Sequence, residues 1–380
     1  MIIQRKILAV KEHKPRLASQ PQDASLLQLI NKELLAINYD LPEIVLISEL
    51  GGGFSIPKPL LIKTKSGDII LKEIRVGTEQ DMNDLLNCIT ALEYYDLPIA
   101  KIIQARDGKR FFTIAQKKYW LEEMATGNHI SRLEANKMQV REVGSYLAKA
   151  HTIMENIEFK RTGRSARNLM RLVETYAGRF NSDNNTQGPE ARQILANEKT
   201  FVLSQLQLFR KNFGDDQYNA LHSSPVFYDL NFDNMLFDQE GKIASVFDLE
   251  RLCSLPRIME FRAPIMNAGP GKPFIYDFDL LKELVHSYAK EVSPPLSKKE
   301  LCLIPEVFRQ AFLYLFYHYT KNEFGDLNAK GPQENFQRFI EYFHQFVNDL
   351  DKGRFADEIV RPLQPVGEGL LAKISRWLFP

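Results

Sequence analysis

At 380 residues, 44% hydrophobic and 26% charged, the chain has the composition of an ordinary folded protein long enough for two lobes with cores, which excludes a disordered or fibrous class. Its 49 Lys and Arg nearly cancel 48 Asp and Glu, so net charge makes no case for a nucleic-acid partner. Cys88, Cys253 and Cys302 are widely spaced without a C-x-x-C pair, which excludes a disulfide framework, argues against zinc and fits a reducing cytoplasm.

The opening MIIQRKILAVKEHKPRL has too short an apolar run for a secretory signal, and no stretch reaches the ~20 apolar residues of a membrane span. A cytoplasmic protein without a membrane span is therefore expected. Residues 23–38 place Leu26, Leu27, Ile30, Leu34 and Leu35 on one helical face, predicting a first helix. Runs at 43–48, 60–64 and 69–74, separated by glycine-containing turns, predict the start of an antiparallel sheet.

Between the first two runs, Gly51, Gly52, Gly53, Phe54 and Ser55 form a turn whose missing side chains let backbone amides approach an anion. It is neither a Walker A sequence nor a G-x-G-x-x-G fingerprint, and a plain flexible hairpin reads equally from it. In the third run the alternation sets Lys72 with Ile70 and Ile74, so the ammonium shares a face with apolar residues and calls for a carboxylate or phosphate partner. The helix predicted at 79–95 offers Glu79 or Asp84, and Glu79 is preferred for its longer reach.

Residues 100–104 and 110–115 read as two further strands around Asp107-Gly108, and KKYWLEEMATG as the last strand of the sheet, ending near Gly127. From Leu133 onward the pattern turns helical, with Val143, Leu147, Ala150 and Met154 on one face. A polar loop at 181–190 precedes a helix at 197–213, and helices are predicted at 276–291, 298–324 and 334–350. The C-terminal GLLAKISRWLFP is amphipathic, suited to docking on the protein's own core or on a surface. The domains are thus residues 1–127, a five-stranded sheet with helices, and 128–380, mostly helical.

The chemistry concentrates in residues 226–251, VFYDLNFDNMLFDQEGKIASVFDLER. Asp229, Asn234 five positions later and Asp248 at the end of a short strand form the set that phosphoryl transfer uses: one carboxylate to orient a hydroxyl, and an Asn and an Asp to hold magnesium on ATP. The same loop sets Asp229, Asn231, Asp233 and Glu240 at positions one, three, five and twelve of a calcium loop. Against calcium stand Pro225 before the loop and the Gly241 turn into a strand, where an EF-hand has helices.

In their order, the glycine turn, strand lysine, helix acid, L-A-K-A-H helix, D-L-x-x-x-N loop and V-F-D-L-E resemble the aminoglycoside phosphotransferase and choline kinase superfamily, over residues about 45 to 350. The resemblance implies an α+β, bilobal protein-kinase-like fold with a small antiparallel β-sheet N-lobe and a larger helical C-lobe. It implies Asp229 as catalytic base, Asn234 and Asp248 on Mg2+, and Lys72, positioned by Glu79 or Asp84, on the phosphates of ATP (or GTP) beneath the Gly51–Ser55 turn. Backbone groups of Glu122, Glu123 and Met124 would receive the adenine, and His151 would be structural. The implied acceptor is a small-molecule hydroxyl on an aminoglycoside, amino alcohol, sugar or homoserine-like amino acid. A protein Ser/Thr kinase and a kinase-like nucleotide-binding structural protein are the alternatives.

The chain departs from the family pattern where His-Gly normally precedes the catalytic Asp, since Phe227 and Tyr228 stand there, and where Glu260 replaces an Asp. Tyr228, Glu250 and Arg251 are the candidate acceptor residues. Arg251, Arg257 and Arg262 suit an anionic acceptor, and structural ion pairing is the alternative for each.

Overall fold

The computed structural model describes residues 39–41, 44–50, 59–114, 116–161, 189–266, 274–320 and 330–364. Chain contacts divide the protein into two compact units, Met1–Met82 with Ala100–Thr126, and Asn83–Ile99 with Gly127–Pro380. The predicted helix at 23–38, the Gly51–Ser55 turn, the loop at 181–188 and the C-terminal amphipathic segment lie outside the described residues.

In the first unit, five strands among the described residues form one antiparallel sheet: β1 (Ile44–Glu49), β2 (Leu60–Thr64), β3 (Gly67–Ile74), β4 (Phe112–Ile114) and β5 (Lys117–Glu123), in the order β1-β2-β3-β5-β4. Alternate residues of β2, β3, β4 and β5 send Ile62, Ile69, Leu71, Phe112, Ile114, Tyr119 and Leu121 into one apolar cluster with Tyr39. Residues 100–104 are not the strand their composition predicts. They lie along the far half of β5, where Ile103 N–H donates to Leu121 at 2.8 Å, but they make a single bridge, Ile102 to Glu122. With Pro98 at the approach and β4 already paired to the near half of β5, no longer ladder forms.

Helix α1 (Glu79–Tyr94) starts from a reciprocal cap in which Thr78 Oγ1 accepts from Asp81 N–H at 3.0 Å and Asp81 Oδ2 accepts from Thr78 N–H at 2.8 Å. Beyond Met82 it belongs to the second unit.

Helix α2 (Lys137–Met154) of the second unit is fixed by the same device. Asn136 Oδ1 accepts from the Met138 and Gln139 amides, and Gln139 Oε1 accepts from Asn136 N–H at 2.9 Å. Its Val143, Leu147, Ala150 and Met154 are wholly buried, as their spacing predicts; burial of each large one stabilises by about 1.5–3 kcal/mol. Against this face runs α4 (Phe278–Glu291), approaching so closely at Gly144 that a β-carbon there would stand 2.1 Å from Ser287 Oγ.

Between them in sequence, α3 (Pro189–Asn212) begins earlier than the predicted 197, with proline at its first position, where its missing N–H costs nothing. The helices α5 (Lys298–Thr320) and α6 (Lys330–Asp351) join through rings, among them Phe312 stacked on Phe343 with centroids 4.8 Å apart. No helix among the described residues is long and apolar enough to cross a membrane.

Candidate active site

Two short ladders in the second unit set up the central stretch. β6 (Ser223–Val226) pairs with β9 (Cys253–Pro256), and β7 (Met235–Phe237) with β8 (Ile243–Val246). The loop 227–234 joins β6 to β7, and 247–252 joins β8 to β9, so the two loops lie side by side. Phe247 N–H donates to Asn234 O at 3.1 Å across them. This strand-loop-strand frame, with Glu240 exposed in the β7–β8 turn, is not the helix-loop-helix that a calcium loop requires, and the EF-hand reading falls with it.

Within the loop, Asn231 serves Asp229 twice. Its Nδ2 donates to Asp229 Oδ1 at 3.0 Å, and its Oδ1 caps the following turn by accepting from Asp233 N–H at 2.8 Å. Asn234, buried, donates Nδ2 to the Asp229 carbonyl at 2.8 Å, and its side-chain oxygen is a hard donor that could hold a cation. Arg251 Nη1 lies 3.0 Å from Asp229 Oδ2. Burial raises the Asp229 carboxyl above the usual carboxylate range, opposed by Arg251 and the Asn231 hydrogen bond, while the Asp248 charge adds to the rise.

Glu260 holds this loop from behind. Fully buried, it accepts from Tyr228 N–H at 3.1 Å through Oε2 and from Leu230 N–H at 3.5 Å through Oε1. His151, also fully buried, has Nε2 3.8 Å from Glu260 Oε2, and its Nδ1 shares a 2.8 Å hydrogen bond with Tyr288. His151 is therefore structural, as the sequence suggests. Phe227 packs into the interior against Tyr146, ring centroids 6.0 Å apart, filling the histidine's place with apolar contact.

Two residues of the stretch have left-handed backbone, Tyr228 with φ 69° and Asp248 with φ 64°. For a tyrosine this costs on the order of 1–3 kcal/mol, which accounts for the glycine that the family pattern has there. The ring of Tyr228 faces a cavity of about 240 Å³ and carries the Arg262 guanidinium over it, 5.1 Å from the centroid. Asp229, Asn231, Asp233, Arg251, Met266 and Tyr314 also line this cavity.

Of the sequence-predicted residues, Tyr228, Asp229 and Arg251 come together at the cavity, and Asn234 and Asp248 stand beside Asp229. Glu250 does not join them at the cavity wall: it sits in the turn after Asp248, where its backbone carbonyl accepts from Arg161. Arg257 is not an acceptor residue either. It is 1% exposed, pairs with Glu300 at 2.7 Å and donates to the Pro294 and Pro295 carbonyls. Asn231, Met266 and Tyr314 are not legible in the sequence as cavity residues, because only the fold brings them there.

In the first unit, Lys72 is 5% exposed on β3, opposite Trp120 of β5. Glu122 is buried and accepts from Trp120 Nε1 at 2.7 Å, while Glu123 and Met124 are exposed. The Glu123 and Met124 amides donate to the Lys101 and Asp68 carbonyls, so any adenine contact through these two residues falls to other backbone groups. Glu79 is exposed in the first turn of α1; Asp84 is buried and accepts from Lys160 N–H at 2.9 Å.

Comparison with known proteins agrees with this architecture. An aminoglycoside phosphotransferase from Alicyclobacillus acidocaldarius superposes with a TM-score of 0.61 at 11% identity, over 90% of this chain and 98% of its own. A microcompartment-associated aminopropanol kinase gives 0.58 at 15%, over 86% and 98%. An amicoumacin kinase in complex with AMP-PNP, Ca2+ and Ami gives 0.57 at 15%, over 84% and 94%. At these identities the likeness is one of fold, the α+β protein-kinase-like fold of small-molecule kinases. No curated protein sequence matches the chain. The phosphotransferase enzyme family, however, matches residues 47–268, more than half of the chain, with the loop of Asp229 and Asn234, Asp248 and Glu260 all inside the match, and the protein belongs to that family.

Proposed function

We propose that the protein transfers the γ-phosphate of ATP, with magnesium, to a hydroxyl of a small molecule. The observation that carries this is the Asp229 carboxylate at the cavity wall, with Asn234 fastened to its own carbonyl and Asp248 on the adjoining loop. Asp229 orients the acceptor hydroxyl and takes its proton as the oxygen bonds to the γ-phosphorus and the bond to ADP breaks. Asn234 Oδ1 and the Asp248 carboxylate are the hard oxygen donors that suit magnesium. Bound Mg-ATP supplies the phosphoryl group and the charge neutralisation of its oxygens. Lys72 and the Gly51–Ser55 turn are assigned to the phosphates, and the chain segment at 122–124 to the base.

The AMP-PNP and Ca2+ of the amicoumacin kinase support a nucleotide with a divalent cation. Asp229→Asn tests the assignment: ADP release with a competent acceptor should fall by about 10²–10⁴-fold, while nucleotide binding, read by thermal shift, persists. Undiminished turnover in that variant removes Asp229 as the base.

A further inference from the structure

The charged lining of the cavity says what kind of acceptor it receives, an inference that rests on the phosphotransfer reading above. Of its two acids, Asp229 is engaged by Arg251 and Asn231, and Asp233 lies 3.5 Å from His129. Arg262 is half-buried, lies over the Tyr228 ring and, among the described residues, donates Nη1 to Gln310 Oε1 at 3.1 Å. Its guanidinium has five N–H donors, and it lines the cavity.

A second guanidinium stands just behind. Arg132 is 7% exposed and lines a small cavity that shares Asn231, Asp233, Ala263 and Met266 with the larger one. Its Nε donates to the Ile265 carbonyl at 3.2 Å, but its Nη2 is buried with no hydrogen-bond partner among the described residues. A buried guanidinium with an unmet donor is costly, and the fields of Asp277 and Tyr342 that reach it are not hydrogen bonds. That small cavity, about 10 Å³, has room for one water at most, so Arg132 acts on the larger cavity through its charge and not by touching a ligand.

Tyr228 adds a third indication. A tyrosine held in a glycine conformation keeps its ring at the wall, where it fixes the plane of Arg262. At about 240 Å³ the cavity has room for a small metabolite or for part of a larger acceptor. We propose that the acceptor is a small hydroxylated anion whose carboxylate or phosphate is held by Arg262, with the buried charge of Arg132 behind it, while its hydroxyl faces Asp229. A guanidinium recognises both anions through the same two-donor fork.

The test gives the full chain Mg-ATP and acceptors that share a hydroxyl but differ in charge: glycerate and gluconate, glucose 6-phosphate, glucose, choline, aminopropanol and kanamycin. ADP release should require an anionic acceptor, and the carboxylate and phosphate arms separate the two sources. Arg262→Gln should raise the acceptor KM by about ten- to a hundredfold, the size of a lost charged hydrogen bond, and Arg132→Gln should raise it less, with the effect of either on KM for ATP much smaller. Arg262→Lys should recover part of the loss. Should Arg132→Gln fail to fold, Arg262→Gln and the wild-type acceptor profile still decide. Turnover confined to neutral or cationic acceptors overturns the inference and leaves phosphotransfer standing. So does a protein that binds Mg-ADP yet whose complex is neither turned over with, nor raised in melting temperature by, any anion of the panel. Absence of both nucleotide binding and transfer would instead sink the proposed function itself.

Discussion

Arg257 and Arg262 stand at the two ends of one short segment behind the Asp229 loop, and their surroundings are opposite. At the first end Arg257 is sealed from solvent, and Glu300 and two proline carbonyls take its donors. Glu300 is equally closed in: burial raises its carboxyl, the Arg257 and Ser297 hydrogen bonds outweigh that, and the net is a carboxyl below its usual range. At the second end Arg262 lines the cavity and donates to Gln310, and beneath it Arg132 has an Nη2 with no hydrogen-bond partner among the described residues. The difference teaches how to tell a structural arginine from one that awaits a ligand. Burial does not separate them, since Arg257 and Arg132 are both buried; completeness of pairing does.

The largest way to break the contrast is at the sealed end. Arg257→Ala leaves Glu300 ionised and buried without its cation, and should lower stability by about 3–5 kcal/mol, read as the urea midpoint. Because the folded Glu300 carboxyl is depressed, its contribution is present above the unfolded value near 4 and is lost as pH falls through the folded value. The penalty in the variant should therefore shrink in acid. A variant as stable as wild type at neutral pH would show that the pair is not structural. A selective rise in acceptor KM would place Arg257 with Arg262.

Between the two ends sits Glu260, which is buried like Arg257 but acts on the cavity side through the Tyr228 and Leu230 amides. Glu260→Gln keeps the shape and removes the charge that accepts from those two amides. A loop displaced by even part of an ångström misaligns Asp229, so kcat should fall by roughly ten- to a hundredfold in protein that remains folded by circular dichroism. If kcat is retained, the loop is held by its strands alone, and Glu260 belongs with the sealed end.

Much of this frame was legible in the sequence, for identifiable reasons. Period-2 runs at 60–64 and 69–74 and the 3.6-period face of Val143, Leu147, Ala150 and Met154 are local signals, and they gave the sheet and α2. Asp229, Asn234 and Asp248 are close in sequence, so spacing alone grouped them. Residues 100–104 misled because β-type composition says nothing of whether a neighbour's edge is already taken. Arg257 and Arg262 could not be told apart, since their difference lies in Glu300, Pro294, Pro295 and Gln310, all brought there by the fold. Arg132 carries no local signal at all; its meaning comes from Ile265 and Met266, far along the chain.

The smallest effect is the sharpest probe of the cavity end. Burial holds the Asp229 carboxyl above its ordinary range, with Arg251 the largest opposing influence. As the proposed base, Asp229 works ionised, so kcat/KM should fall as pH drops through a limb lying above the usual carboxylate value near 4. Arg251→Gln removes the cation 3.0 Å away and should move that limb to higher pH, by about one pH unit or less because Arg251 is half exposed and solvent screens it. The sign in stability is the reverse of Glu300. A carboxyl raised in the folded state favours the native protein at low pH and loses that contribution as pH rises through its folded value. Arg251→Gln should therefore cost more stability at pH 8 than at pH 4. A limb that stays in place, with a loss of stability independent of pH, would mean that Arg251 braces the turn after Asp248 and does not act on the base. Arg251 would then be structural, like Arg257, leaving Arg262 to meet the acceptor.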